Sequence, residues 1–186
     1  MSYILDVVGA IVISGFVLLA LLAVMMSVRD SETNTTMDNM VQTTTTNVAS
    51  LIENDFRKIG FNMSLNAQKI LAADTSSITF CGDIDSTGSI DTVRYYLGSL
   101  ASSTPNPSDK ALYRVVNGVT LKGTVFGCTT FNLSYYDSLG NVTATLTSIR
   151  SIGVKMNLQS VAANNQRYAG TYWQARFRPM NLSGKY

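Results

Sequence analysis

Residues 7–28, VVGAIVISGFVLLALLAVMMSV, run for 22 positions without one charged side chain. As an α-helix rising about 1.5 Å per residue, the run covers roughly 33 Å, enough to cross the hydrocarbon core of a bilayer. A cleavable secretory signal would show a basic n-region, a shorter apolar run and a small-x-small cleavage site. Here no Lys or Arg precedes the run, which is also too long for that class. What does precede it is Asp6. A carboxylate at the edge of an apolar phase is costly unless a cation pairs with it. The nearest such cation is an amino terminus, the chain's own or that of a neighbouring copy.

Small residues recur along the same segment. Ala10 and Ser14, then Ala23 and Ser27, stand four apart, with Gly9 and Gly15 close by. This spacing lets helices approach one another closely. Flanking charge is sparse, with Arg29 on the C-terminal side, so charge sets the topology weakly. The cysteine usage and the Ser/Thr/Asn-rich remainder favour a short N-terminus inside and the bulk of the chain outside.

The helical pattern continues past the apolar run. No Pro or Gly occurs between Phe16 and Ile59, and Met37, Met40, Val41, Val48, Leu51, Ile52, Phe56 and Ile59 recur mostly in steps of three and four. One helix is expected over about residues 3–59, its second half amphipathic. The β-branched run Thr43–Thr46 has poor helix propensity, and thinning or bending is expected there. Gly60 is the natural stop.

Beyond Gly60 the pattern turns to short strands, read at 77–81, 91–97, 111–116, 131–136, 148–160 and 171–178. Val93, Tyr95 and Leu97 fall on one side of their strand, and Phe131, Leu133 and Tyr135 on one side of another. Turn-forming clusters such as STGS, TPNPSD, VNGV and DSLGN separate them. The economical architecture is α+β: a long N-terminal helix whose amphipathic half covers a mainly antiparallel sheet. Three regions follow: 1–28 a transmembrane or assembly helix, 29–60 its amphipathic extension, and 61–186 a β-rich domain large enough to bury its own core.

Composition bears on chemistry mainly through what is missing. With no histidine in 186 residues, the commonest general base and transition-metal ligand is gone. Ser-His-Asp, Cys-His and His-metal arrangements are thereby excluded. No phosphate-cradling glycine loop is present either. Neither catalysis nor a cofactor is expected. The net charge of +2 calls for no polyanionic partner, yet its distribution is uneven. All twelve acids lie at or before Asp137, while the last 49 residues hold Arg150, Lys155, Arg167, Arg176, Arg178 and Lys185. Pairing of these cations with the acidic first half is the simpler reading, and a basic docking face the sharper one.

A long helix, half membrane-like and half amphipathic, feeding a small antiparallel sheet resembles a type IV pilin or a type II secretion pseudopilin. The segment LIENDFRKIGF (51–61) resembles the end-of-helix motif of the minor pilin W and pseudopilin J type, where an acid, an apolar residue and an Arg precede a Gly-aromatic pair. SITFCGDIDSTGSIDTVRYYL (77–97) is similar to the strand, acidic turn and strand that follow in that group. ALYRVVNG (111–118), FNLSYYDSLGN (131–141) and RPMNL (178–182) continue the order, so the likeness covers nearly the whole chain. It implies a structural, minor filament subunit, waiting as a single-pass protein of the inner membrane with its distal domain extracytoplasmic. Its partners would be other copies or other pilin-like subunits, met through the N-terminal helix. It also implies a role for Asp6. Pilins carry a Glu as fifth mature residue, paired with a neighbour's amino terminus; with Met1 removed, as Ser2 permits, Asp6 takes that place. The assembly set is then Asp6, Gly9, Ala10, Ser14 and Gly15. Unlike a pilin precursor, the sequence shows no basic leader and no Gly ahead of the apolar run. The chain is therefore read as already processed or as never meeting the prepilin peptidase.

Two other readings stay open: a membrane-anchored β-rich adhesin-like module that does not polymerise, and an archaeal-type filament subunit. The second would give meaning to the glycosylation triplets at Asn34, Asn62, Asn132, Asn141 and Asn181. In an exported domain Cys81 and Cys128 are expected to form a disulfide, the alternative being two small buried thiols. DIDSTGSID (83–91) resembles the start of a calcium loop through Asp83, Asp85, Thr87, Gly88 and Asp91, but Arg94 stands where the bidentate Glu belongs. An acidic hairpin turn is the preferred reading. Tyr95, Tyr96, Tyr135, Tyr136, Tyr168, Tyr172 and Trp173 are read as core and sheet-face residues. Their interleaving with Arg94, Arg167 and Arg176 leaves DNA binding as a minor alternative.

Overall fold

A computed structural model describes residues 2–120 and 125–182. Helix α1 runs from Ser2 to Arg57. Eight strands follow: β1 (Ile70–Ala73), β2 (Ser77–Gly82), β3 (Asp91–Leu100), β4 (Lys110–Val116), β5 (Val119–Thr120), β6 (Val125–Tyr136), β7 (Ser151–Gln159) and β8 (Gly170–Phe177), with 3-10 turns at Leu146–Ser148 and Met180–Leu182. The fold is thus α+β. The chain divides into two compact units, Met1–Met37 and Asp38–Tyr186.

The first unit is helix alone. Its apolar side chains are exposed throughout the 7–28 run, and it is long and apolar enough to cross a membrane. From Asp38 onward the helix belongs with the strands, because burial begins at Val41 and reaches completeness at Ile52 and Phe56.

The threonine run does not interrupt α1. Thr44, Thr45 and Thr46 donate their hydroxyls to the carbonyls of Met40, Val41 and Gln42 at 2.8, 2.8 and 2.9 Å. Each polar group is satisfied one turn back, so the expected weak point holds as helix. Gly60, at φ 73°, turns the chain out of the helix and donates its N–H to Cys81 O at 2.8 Å.

All strand pairs are antiparallel, in the order β1-β2-β3-β4-β6-β7-β8, with β5 attached to β4. The core of the second unit forms where the apolar stripe of the helix meets one face of the sheet. Phe56 is its hub: it stands edge-on to Phe80, Tyr95 and Phe177 at centroid distances of 5.6, 5.9 and 5.6 Å. Ile78, Val93, Phe131, Ile152, Val154 and Met156 complete it, all fully buried. These alternate with exposed or half-buried neighbours along their strands, as the sequence period requires.

The structure adds two strands to the six expected, β1 and β5, and starts β6 six residues earlier than Phe131. It also trims β7 to 151–159 and gives Leu146–Ser148 to a 3-10 turn.

Candidate functional site

On α1, Asp6, Ala10 and Ser14 follow one another at i, i+4, with Gly9 three residues after Asp6, so carboxylate and small residues share one helix face. A side chain added at Gly9 would meet nothing within 4 Å; the same holds at Gly15, which lies about two and a half turns on, across the helix from Asp6 and off this face. The Ser14 hydroxyl is returned to Ala10 O at 2.6 Å. The stripe therefore offers a smooth, shallow surface with Asp6 at its N-terminal end, all exposed but half-covered Gly9. Met1, whose removal or amine enters the expected Asp6 pairing, lies outside the described residues.

An ion pair with a fully buried acid, in the second unit, was not read from the sequence. Asp55, fully buried at the end of α1, accepts from Arg114 Nε at 2.6 Å and Nη2 at 3.0 Å. It also accepts from the Tyr95 hydroxyl at 2.6 Å. Arg114 Nε lies 3.1 Å from that same hydroxyl. Burial first, and then the Asp55 charge, push the Tyr95 phenol far above its ordinary range. The signal was available: Asp55 sits three residues after Ile52 and four before Ile59, on the apolar stripe itself. An acid there needs a cation from the sheet. The cluster locks helix to sheet, its acid and phenol buried and its Arg114 side chain partly exposed.

In the 83–91 turn the three carboxylates do converge, with one oxygen of each within 4.8 Å of the others. Their oxygens are engaged by the loop. Asp83 accepts from Thr87 N, Gly88 N and Asn62 Nδ2. Asp91 accepts from Ile84 N and Asn117 Nδ2. Asp85 accepts from the Thr87 hydroxyl and N–H, and the hydroxyl bond chiefly holds its carboxyl below the usual range. Lys58 Nζ caps the turn at Ile84 O. These bonds hold the loop as a closed acidic hairpin turn.

The expected disulfide is not formed. Cys81 and Cys128 are both free and buried. Cys81 lies on β2 and Cys128 on β6, with β3 and β4 between them. Three strand spacings amount to about 14 Å along the sheet, twice the Cα separation a disulfide tolerates. Cys81 Sγ instead lies 3.6 Å from the Thr92 hydroxyl, and Cys128 donates to Thr130 O at 3.4 Å.

The C-terminal cations mostly fail to find the acids of the first half. Arg167 does, reaching Asp38 at 3.1 Å. Arg150 turns to the carbonyls of Thr147 and Ile149. Arg176 lies flat over Tyr136, 3.9 Å from the ring centroid, and donates from Nε to Ser151 Oγ at 3.0 Å. Lys155 and Arg178 are exposed, and Lys185 lies outside the described residues. Ser134, Tyr136, Gly153, Lys155, Gln174 and Arg176 line an open surface pocket of about 390 Å³ on the outer sheet face.

The aromatic residues divide. Tyr95 and Tyr135 are buried, Tyr96 stacks on Tyr113 at 4.9 Å, and the Arg94 guanidinium lies over the Tyr96 ring. Trp173 leans on Phe177. Most of these rings are thus engaged with other side chains of the chain.

No protein-family model matches this chain, and neither a curated protein nor a solved structure does.

Proposed function

We propose that the chain is a structural, minor-type subunit of a type IV pilus-like filament or a type II secretion pseudopilus. It would wait in the inner membrane through residues 7–28 with its β-rich domain outside, and enter the filament by exchanging lipid for neighbouring helices. The observation that supports this most is the division of labour along α1. Its first unit leaves every large apolar side chain from Val7 to Val28 exposed, while its residues from Val41 to Phe56 supply the core of the sheet domain. A helix built only as an anchor has no use for a smooth small-residue stripe ending in an acid. A helix that must pack on copies of itself does. Asp6 would then set the axial register by a charge-assisted bond to a neighbour's amine.

The test separates this from an anchored module that never polymerises. Cells are sheared, and the filament fraction is analysed for this chain and its N-terminal peptide by mass spectrometry, in the wild type and in Asp6→Ala. The wild-type chain should appear in the fraction, and the variant should stay in the membrane with its sheet domain folded. A wild-type chain confined to the membrane while filaments are made would refute the proposal, as would normal incorporation of Asp6→Ala.

A further inference from the structure

Strand β8 ends the sheet, and it is an unusual edge. It pairs with β7 over eight consecutive positions without a register shift, and among the described residues no strand pairs with its other side. It contains no Pro and no bulge, two of the devices by which proteins blunt such an edge. Its exposed side chains are Tyr172, Gln174 and Arg176, and Arg178 continues the same alternation just past the strand. Lys155, paired in register with Gln174, adds a third cation on that face.

Arg176 is held in position by neutral groups. The Tyr136 ring lies beneath its guanidinium and Ser151 Oγ takes Nε; no carboxylate lies within ion-pair distance among the described residues. Asp137 lines the same surface pocket as Arg176 and Arg178 but accepts from Leu139 N, Asn141 N and Asn141 Nδ2, so the planar guanidinium keeps its Nη edge for a carboxylate brought from outside.

We propose that the β8 edge receives an extended strand from a different protein, one carrying acidic residues two positions apart on its outward face. Main-chain hydrogen bonds to the free edge supply the affinity, and the acids, facing Arg176 and Arg178, fix register and partner. A second copy of this chain is the wrong occupant. Among its described strands the one acid is Asp91, which is buried and bonded within its own turn, and two β8 strands side by side would bring like charges together. This proposal does not rest on the filament reading.

The test uses the full chain in detergent micelles and short labelled peptides, read by fluorescence anisotropy. The first peptide alternates Glu with Val; the second has Lys for Glu; two more keep Glu but are N-methylated at odd or at even residues. The Glu peptide should bind, more weakly as salt rises, and the Lys peptide should not. One N-methylated peptide should lose binding and the other keep it, since only one edge of the added strand faces β8. Arg176→Glu and Arg178→Glu should each weaken binding by roughly tenfold or more. Arg178 is exposed, so its variant keeps the test readable if Arg176→Glu disturbs the fold. Absence of Glu-peptide binding, equal binding of both N-methylated peptides, or indifference to Arg178→Glu would each overturn the proposal.

Discussion

Arg114 on β4 grips Asp55 on α1 with two prongs, Nε to Oδ2 at 2.6 Å and Nη2 to Oδ1 at 3.0 Å. The Asp55 side chain is 1% exposed and the Arg114 side chain 15%. Removing the cation strands a buried negative charge. Arg114→Ala should therefore cost about 3–5 kcal/mol of stability, and Tyr95→Phe, which deletes one hydrogen bond to the same oxygen, about 1–3 kcal/mol. The double variant Asp55→Leu/Arg114→Leu should recover much of the loss. Urea denaturation followed by Trp173, the single tryptophan, measures all three.

Gly82 ends β2 where the chain leaving the helix runs alongside it. A Cβ there would stand 2.3 Å from Lys58 O, and the flanking bonds, Gly60 N to Cys81 O and Asp83 N to Phe61 O, hold both segments in place. Gly82→Ala should destabilise by about 1–3 kcal/mol. Gly170→Ala, whose Cβ would meet its nearest atom at an ordinary 3.5 Å, should cost well under about 1 kcal/mol. Thermal melts of the two variants side by side check the contrast.

Much of this architecture is readable from residue spacing, and the exceptions have local causes. The helix and the middle strands carry strong periodicity, so they declare themselves. β1, four residues of ILAA with exposed Leu71 and Ala72, has no alternation to read. The start of β6 is hidden by Gly127, at φ 88°, and by a register shift between Cys128 and Thr130. Both break the two-residue period ahead of Phe131. Strand order is a long-range property, so the expectation of a disulfide, drawn from two cysteines in an exported domain, had no view of the two strands that separate them. The Asp6 stripe lay open in the sequence because it is local to one helix. The Asp55–Arg114 pair joins residues 59 apart in the sequence, and only the acid's place on the apolar stripe hinted at it.

Both thiols should be found free. Without reductant, unfolded chain should take up two alkyl groups by mass spectrometry, and folded chain should react slowly because both sulfurs are buried. Recovery of an unmodified, bridged peptide pair would overturn the assignment.

Alkaline pH gives a second reading of Cys128. Burial pushes its thiol up to about 12 from an ordinary value near 9.0. The folded chain then keeps a proton that the unfolded chain releases. Its contribution is full below about pH 9 and is lost as pH climbs toward 12. Cys128→Ala should flatten the fall in stability across that window relative to wild type, as read by urea titrations at successive pH values.

Asp109 poses the opposite case to Asp55. It is fully buried, and neither carboxylate oxygen has a hydrogen-bond partner among the described residues. Burial raises its carboxyl above the ordinary value. A raised acid favours the folded state once protonated, so this contribution is present at low pH and lost as pH rises through the folded value. Asp109→Asn should stabilise the chain at neutral pH by about 1–3 kcal/mol and make that gain shrink on acidification. Denaturation at pH 7 and pH 4 tests both halves.

The Ser14 hydroxyl, closed onto Ala10 O within the helix, has a consequence for how such a segment changes company. Mid-span, that hydroxyl requests no partner from outside the helix. To hydrocarbon tails and to the leucines of an adjoining helix it presents the same inert face. On the proposed assembly, a change of solvent from fatty acyl chain to protein would break no polar contact there. Asp6, at the tip, is the charged group that would tell the two surroundings apart.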